Sequence, residues 1–290
     1  MAAAQTIKDI SLRNNQDSKI TMLTAYDVSM ARLLDECTVD MILVGDSLGM
    51  VALGYDSTVP VTMDEMLHHC KAVRRGVKKS LIVGDMPFGA YNISIENSIT
   101  NGLRFLKEAG CDAVKIEGGQ EVCQTLSAMV KVGIPVMGHI GLTPQTAGQL
   151  GGYKVQGTDR QRAQQLIQDA IALENAGAFS IVLECVPSEL ARVITEAISI
   201  PTIGIGAGLH CNGQVLVTND MIGLFEKFTP GFVKQYIQLA PEIKKAITSF
   251  KQEVNSGAFP DVQHTFNADL DFDDLLKTVN TQQQRTHEND

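Results

Sequence analysis

The sequence predicts an α/β fold, a closed (β/α)8 barrel of the TIM type. Eight short apolar runs bounded by Gly, Pro or Asp recur along the chain, and stretches of helical periodicity separate most of them. This alternation favours parallel strands joined by right-handed crossovers. A doubly wound open sheet shares the pattern, but eight strands within 290 residues favour the barrel.

The predicted strands are continuous apolar runs without a polar face, which indicates burial on both sides of the sheet. Aromatic residues make up only 5% of the chain and Trp is absent, so the core must be aliphatic. In chain order the predicted strands are residues 20–25, 41–46, 81–86, 113–117, 135–140, 179–185, 201–206 and 214–217.

The intervening segments have helical periodicity and recognisable ends. One begins after Thr62, a candidate N-cap that has Glu65 three residues later in capping-box spacing. Gly110 and Gly177 are candidate C-caps of two others. The predicted helices are residues 63–77, 96–109, 120–132, 159–176 and 187–198.

Composition changes near the C-terminus. The net charge is −9, and residues 261–290 hold seven acids against two bases. We therefore predict one catalytic barrel domain over residues 1–266 and an acidic, polar tail over 267–290. The tail is expected to be disordered or to form one short helix around residues 272–279, packed on a neighbour.

The same features exclude several classes of protein. A negative charge does not favour nucleic-acid binding, and no apolar run approaches the ~18 residues of a membrane span. The first residues lack an apolar signal segment, so we expect a cytoplasmic protein without membrane or nucleic-acid partners. Zinc-binding spacings of Cys and His are also absent.

Polar side chains stand where the predicted strands end. In (β/α)8 barrels the chemistry lies at the carboxyl ends of the strands, which a closed barrel brings around one opening. The residues that meet this criterion are Asp46, Ser47, Asp85, Lys115, Glu117, His139 and Glu184.

Asp46 and Asp85 are the strongest indication of a metal. Each ends a strand in Val-Gly-Asp, and several acids at one opening would repel each other without a cation. Oxygen ligands of this kind suit Mg²⁺. The alternative is that both acids cap the segments that follow.

Four further residues have a structural alternative beside the functional one. Strand alternation places Lys115 and Glu117 on the same face, either to bind an anionic substrate beside the metal or as an ion pair inside the barrel. Glu184 follows a strongly apolar run and suits a general base, or it bridges neighbouring elements. His139 could donate to a substrate oxygen or could be structural.

These residues lie in motifs that resemble the ketopantoate hydroxymethyltransferase family. The resemblance extends over about residues 5–266, and the motifs occur in order. They are Thr24-Ala-Tyr-Asp27, Val44-Gly-Asp-Ser-Leu-Gly-Met50, Asp85-Met-Pro-Phe88, Lys115-Ile-Glu-Gly-Gly119, Gly138-His-Ile-Gly-Leu-Thr-Pro-Gln145, Lys154-Val-Gln-Gly157, Leu183-Glu-Cys-Val-Pro187 and Ile203-Gly-Ile-Gly-Ala-Gly208. One departure is Cys37-Thr38, where family members often have Ala-Gly.

The resemblance implies a role for each site residue. Asp46 and Asp85 match Mg²⁺ ligands, and Glu117 matches a third acid at the metal site. Ser47 and Lys115 match contacts to the 2-oxo acid, to which Asp46 and Asp85 connect through the metal. Glu184 matches the general base. His139 matches a residue that lines the substrate pocket.

The resemblance also implies the reaction and a barrel of the phosphoenolpyruvate/pyruvate-like superfamily. A hydroxymethyl group from 5,10-methylenetetrahydrofolate would be added to 3-methyl-2-oxobutanoate through a Mg²⁺-stabilised enolate, giving ketopantoate for pantothenate and coenzyme A biosynthesis. The implied assembly is a homodecamer of two five-membered rings. The alternatives are a Mg²⁺-dependent enzyme resembling isocitrate lyase or phosphoenolpyruvate mutase, and a non-catalytic metabolite-binding barrel.

Overall fold

Eight parallel strands close into a barrel in the computed structural model, which describes residues 4–15, 18–149 and 151–287. Each strand pairs with the next along the chain, and β8 pairs with β1. The fold prediction is therefore confirmed, with every predicted strand in its expected place. The strands are β1 Ile20–Thr24, β2 Met41–Val44, β3 Leu81–Asp85, β4 Ala113–Glu117, β5 Val136–Gly141, β6 Ser180–Glu184, β7 Thr202–Ile205 and β8 Gly213–Leu216.

Helices follow the strands, and the five predicted ones correspond to α4–α8. Thr62 and Glu65 form the predicted capping box, and Gly177 ends α7 with a φ of +104°. The first turn of residues 120–132 is a 3-10 turn rather than α-helix. The helices are α1 Ile7–Ser11, α2 Val28–Glu36, α3 Leu48–Val51, α4 Met63–Gly76, α5 Ile95–Lys107, α6 Cys123–Lys131, α7 Arg160–Ala176, α8 Ser188–Ala197, α9 Thr218–Met221, α10 Leu239–Ser256 and α11 Phe272–His287.

Alternation along each strand divides the core into two layers. On β4, Val114 and Ile116 point outward and pack in the layer between barrel and helices. Ala113, at the start of β4, belongs to the cluster inside the barrel. Lys115 and Glu117 continue that inward row and are buried. The barrel interior is thus apolar at its amino end and charged at its carboxyl end, which positions the site.

The departure from the family pattern at Cys37-Thr38 lies in the turn between α2 and β2. Thr38 has a φ of +58°, and its N–H donates to the Asp35 carbonyl in a tight turn. A β-branched residue is disfavoured at positive φ, whereas glycine is not. The glycine that family members often carry therefore has a structural reason, and Thr38 is a strained replacement.

The chain divides into two compact units, Met1–Leu239 and Ala240–Asp290. The second unit contains nearly all of α10 and the whole of α11, a longer helix than the short one that we predicted in the tail. The assignment of residues 1–266 to the catalytic domain stays a prediction. No helix within the described ranges is long and apolar enough to cross a membrane.

Candidate active site

The carboxyl ends of the strands surround a cavity of about 690 Å³. All of the residues predicted from strand ends line this cavity, so the closed barrel brings together positions that are far apart in sequence. They are Asp46, Ser47, Asp85, Lys115, Glu117, His139 and Glu184.

Asp46 and Asp85 lie beside each other at the ends of β2 and β3. The Asp46 N–H donates to Asp85 Oδ2 at 3.2 Å, and both side chains are buried. Neither carboxylate caps a helix: the residue at the start of α3 is Ser47, without a side-chain cap bond. The capping alternative for these two acids is therefore wrong.

The Lys115 ammonium lies among the acids. Its Nζ is 2.9 Å from Asp85 Oδ1 and 3.6 Å from Glu117 Oε1. The approach to Asp85 falls outside hydrogen-bond geometry, so that buried oxygen accepts no hydrogen bond. Burial lowers the pKa of Lys115, but the neighbouring carboxylates outweigh burial and raise it above its ordinary value. Lys115 is therefore a fixed positive charge in the barrel, and the predicted ion pair is present.

His139 connects two acids on the other side of Lys115. Its Nδ1 is 3.3 Å from Glu117 Oε1, and its Nε2 is 3.2 Å from Glu184 Oε2. Burial and the Lys115 ammonium lower the pKa of His139, but Glu117 and Glu184 outweigh them and raise it to about 9. A protonated imidazole between two carboxylates is consistent with that value.

The acids still outnumber the cations. Of the residues that the structure describes, six acids line the cavity with only Lys115, Lys154 and His139 as basic side chains, and the acids are Asp46, Asp56, Asp85, Glu117, Glu184 and Asp220. Burial, and then the nearby Asp85 and Glu117 carboxylates, raise the pKa of Asp46 well above its ordinary value. A further cation at this opening would relieve the repulsion.

Gln145 is a site residue that the strand-end criterion does not identify. Its Nε2 donates to Asp46 Oδ2 at 2.9 Å, and its backbone N–H donates to Glu117 Oε2 at 3.1 Å. The Tyr91 hydroxyl donates to Gln145 Oε1 at 2.7 Å. Gln145 thus orients two acids at once. It follows β5 within the Gly138–Gln145 motif, which was the only sequence signal for it.

Two more residues that matter for the cavity, Tyr26 and Asp220, follow β1 and β8. The Tyr26 hydroxyl is buried and 2.9 Å from Ser47 Oγ, so it holds the Ser47 side chain in place. Asp220, on α9 after β8, also lines the cavity and is buried. The strand-end criterion did not identify Asp220, because β8 ends four residues earlier, at Leu216.

The residue after Glu184 has an unusual backbone. Cys185 has a φ of +48°, a strained conformation at the point where β6 turns away from the barrel. Burial, and then the Glu184 carboxylate, raise the pKa of the Cys185 thiol to about 12. The thiol is therefore neutral near pH 7.

The profile of the ketopantoate hydroxymethyltransferase family matches residues 4–262. The chain belongs to this family. Relatives that carry the name 3-methyl-2-oxobutanoate hydroxymethyltransferase include that of Heliobacterium modesticaldum, 58% identical over 93% of this chain and 98% of its own. That of Desulfotalea psychrophila is 57% identical over 94% and 98%.

The barrel is also similar to solved structures outside the ketopantoate hydroxymethyltransferase family. Phosphoenolpyruvate phosphomutase from Streptomyces platensis superposes with a TM-score of 0.60 at 14% identity, over 98% of this chain and 99% of that one. A 2,3-dimethylmalate lyase of the PEP mutase/isocitrate lyase superfamily gives 0.54 at 14% identity, over 99% of both. These likenesses concern the fold alone, and they agree with the predicted barrel.

Proposed function

We propose that this enzyme transfers a hydroxymethyl group from 5,10-methylenetetrahydrofolate to 3-methyl-2-oxobutanoate, giving ketopantoate for pantothenate and coenzyme A biosynthesis. The relatives that match nearly the whole chain share the name of that activity. The proposal rests on which side chains line the cavity at the carboxyl ends of the strands. A basic carboxylate, Glu184, faces the same cavity as the paired acids Asp46 and Asp85.

The side chains at the ends of β2 and β3 fit Mg²⁺. Asp46 and Asp85 offer carboxylate oxygens, which a hard cation prefers, and Asp85 Oδ1 is buried with the Lys115 ammonium 2.9 Å away. Within the described ranges, no three His, Cys, Asp or Glu side chains form a metal cluster by themselves. This suits a site in which Asp46 and Asp85 bind the ion while substrate and water complete its shell.

Glu117 fits a contact through water better than a direct one. Its Oε2 accepts the Gln145 N–H, and its Oε1 lies beside both His139 and Lys115. Both oxygens are thus engaged with the protein. When bound, Mg²⁺ would supply a Lewis acid that polarises the keto group of the oxo acid.

The remaining residues bind the oxo acid and move its proton. The Lys115 ammonium and the Ser47 hydroxyl, held by Tyr26, donate to its oxygens. Glu184 takes the proton from C3, and the resulting carbanion forms a bond to the one-carbon unit. Both C–N bonds between that unit and the folate break, and water supplies the hydroxyl oxygen. The C3 proton and one proton of the water end on the two nitrogens of the released tetrahydrofolate. His139 Nε2 lies 3.2 Å from Glu184 Oε2 and orients this carboxylate for the transfer.

The proposed partners are small molecules and further copies of the chain. We propose the homodecamer that the family resemblance implies. One face of α10 supports self-association, since Ile243, Ile247, Phe250 and Val254 recur at helical spacing and are each at least 38% exposed. We also propose the cytoplasmic location that the sequence led us to expect.

Deuterium exchange at C3 tests the proposal without the folate. Incubation of 3-methyl-2-oxobutanoate with the enzyme and Mg²⁺ in D₂O should replace the C3 proton, as read by the collapse of the methyl doublet in NMR. Removal of Mg²⁺ by a chelator should stop the exchange. An enzyme that binds the oxo acid yet leaves C3 unexchanged would contradict the assignment of proton abstraction to this site.

A further inference from the structure

The Asp220 carboxylate is buried in the cavity without a partner. Only 8% of the residue is exposed, and no hydrogen bond or ion pair to its side chain occurs in the part of the chain that the structure describes. Its position is fixed, because the Thr218 N–H on the same helix donates to Thr24 Oγ1 at 3.0 Å. The backbone N–H of Asp220 donates to the Val217 carbonyl.

This arrangement is unfavourable for the free protein. Burial alone raises the pKa of Asp220 to about 6, since no neighbouring cation offsets it. The titratable group that interacts with Asp220 is the Tyr26 hydroxyl, which is neutral and already bonded to Ser47. A buried polar group left unsatisfied in this way calls for a missing partner, and its position in the cavity makes that partner a ligand.

The residues around Asp220 indicate what kind of ligand would bind there. Val215 and Val217 line the cavity on the same side, together with Phe225 and Phe228, whose rings meet edge to face at 5.5 Å. The paired acids and Glu184 belong to β2, β3 and β6, whereas Asp220 follows β8. A small branched oxo acid leaves most of about 690 Å³ unfilled. The β8 side therefore has room for a second, flat and largely apolar ligand that carries hydrogen-bond donors.

We propose that Asp220 binds the pterin ring of tetrahydrofolate through the ring's 2-amino group and N3–H. This inference rests on the proposed function, which requires a folate. The two oxygens of a carboxylate accept a parallel pair of N–H donors, and the amino-pyrimidinone edge of a pterin offers such a pair. The aromatic side chains beside Asp220 contact the ring face.

The opposite orientation of the folate is disfavoured by charge. The glutamate end of a folate carries carboxylates, which would be repelled by Asp220 and by the acids at the strand ends. That end therefore extends from the cavity into water, and the pterin occupies the interior. This orientation brings the one-carbon unit, which bridges N5 of the pterin and N10 of the adjoining aminobenzoyl group, towards the oxo acid.

The proposal is tested by comparing the affinities of two ligands for two variants of the protein. Tetrahydrofolate and 2-desamino-2-methyltetrahydrofolate, which lacks the amino donor, are titrated calorimetrically into wild type and Asp220→Asn. Wild type should bind the natural ring about 10- to 100-fold more tightly, as expected for hydrogen bonds to a charged group. Asp220→Asn keeps one acceptor oxygen but loses the charge and the second acceptor, so it should bind tetrahydrofolate more weakly and lose most of the discrimination. Retained discrimination in Asp220→Asn would overturn the proposal.

Two controls keep the outcome interpretable. Glu189→Gln changes an exposed acid on α8 that is 2.9 Å from Arg192 and outside the lining of the cavity, and it should preserve the discrimination. Loss of discrimination in both variants would show a general charge effect and overturn the role of Asp220. The C3 exchange of the oxo acid by wild type needs no folate. Exchange without tetrahydrofolate binding therefore overturns the pterin site alone, and absence of exchange overturns the proposed function.

Thermal melting shows that the variant is folded. Because the pKa of Asp220 is raised from its ordinary value of 3.8 to about 6, its ionisation destabilises the fold by an amount that grows between these two pH values and is constant above them. Asp220→Asn should therefore melt above wild type at pH 8, and this difference should shrink as the pH falls from about 6 and vanish below 3.8, where the carboxyl is neutral in both the folded and the unfolded chain. A variant less stable than wild type at pH 8 would mean that Asp220 has a stabilising partner, which also contradicts the proposal.

Discussion

Asp46 and Asp85 show how neighbouring strand ends would create the proposed metal site. Their carboxylates are held side by side at the ends of β2 and β3, where burial raises the pKa of both. Gln145 fixes Asp46, and Lys115 lies beside Asp85. The protein thus maintains two adjacent acids despite their mutual repulsion, which a bound divalent cation offsets.

Asp46→Ala and Asp85→Ala should each abolish Mg²⁺-dependent binding of the oxo acid, because one carboxylate holds Mg²⁺ poorly. We expect the loss to exceed the ~10- to 100-fold that follows removal of an outer partner of a metal ligand. Titration calorimetry with and without Mg²⁺ measures it. Asp112→Asn, a variant of an acid that pairs with Arg74, is the control. Unchanged binding in both alanine variants would rule out the ligand assignment.

Glu184→Gln tests the general base. The amide keeps the shape of the side chain but has no basic oxygen, so C3 deuterium exchange should fall by about 10²- to 10⁴-fold. Binding of Mg²⁺ and the oxo acid should persist, because Asp46 and Asp85 are untouched. Exchange at the wild-type rate would place the base elsewhere in the cavity.

At the scale of elements, the sequence predicted the barrel because its signals are local. Apolar runs mark all eight strands, and caps such as Thr62 and Gly177 mark helix ends. The missed elements lack those signals. The four-residue helices α3 and α9 are too short for a periodic pattern, and α2 begins at an Asp27 cap that we did not consider.

Thr38→Gly should stabilise the protein. Relief of the left-handed conformation gains ~1–2 kcal/mol, and the greater freedom of glycine in the unfolded chain removes about 0.5–1 kcal/mol of that. The net gain should raise the melting temperature by a few degrees. Thr100→Gly, at an exposed position inside α5, is the matched control and should lower it. A melting temperature that falls in Thr38→Gly would show that the turn is not strained.

At the scale of the whole molecule, the sequence predicted the site residues that lie at strand ends, but not those in the segments after the strands. Lys115 and Glu117 follow from alternation on β4, and Asp46 and Asp85 from repeated strand endings. Gln145 and Asp220 lie in segments beyond the strands, where the path of the chain depends on tertiary packing. Their contacts could not be deduced from spacing.

Assembly is tested through α10. Light scattering should give a particle about ten times the chain mass of 31.4 kDa. Ile247→Asp places a charge within the apolar face of α10 and should produce smaller particles. Lys245→Glu changes the opposite face of the helix and should leave the mass unchanged. A wild-type particle of one chain mass would contradict the homodecamer.

The most direct test of the proposed activity follows the one-carbon unit itself. The enzyme is incubated with 3-methyl-2-oxobutanoate, Mg²⁺ and 5,10-methylenetetrahydrofolate labelled with ¹³C in the methylene group, and the products are identified by NMR. We predict that the label appears in the hydroxymethyl group of ketopantoate, and only when both folate and Mg²⁺ are present. Absence of labelled ketopantoate from an enzyme that exchanges C3 would contradict the proposed transfer and favour a lyase or isomerase.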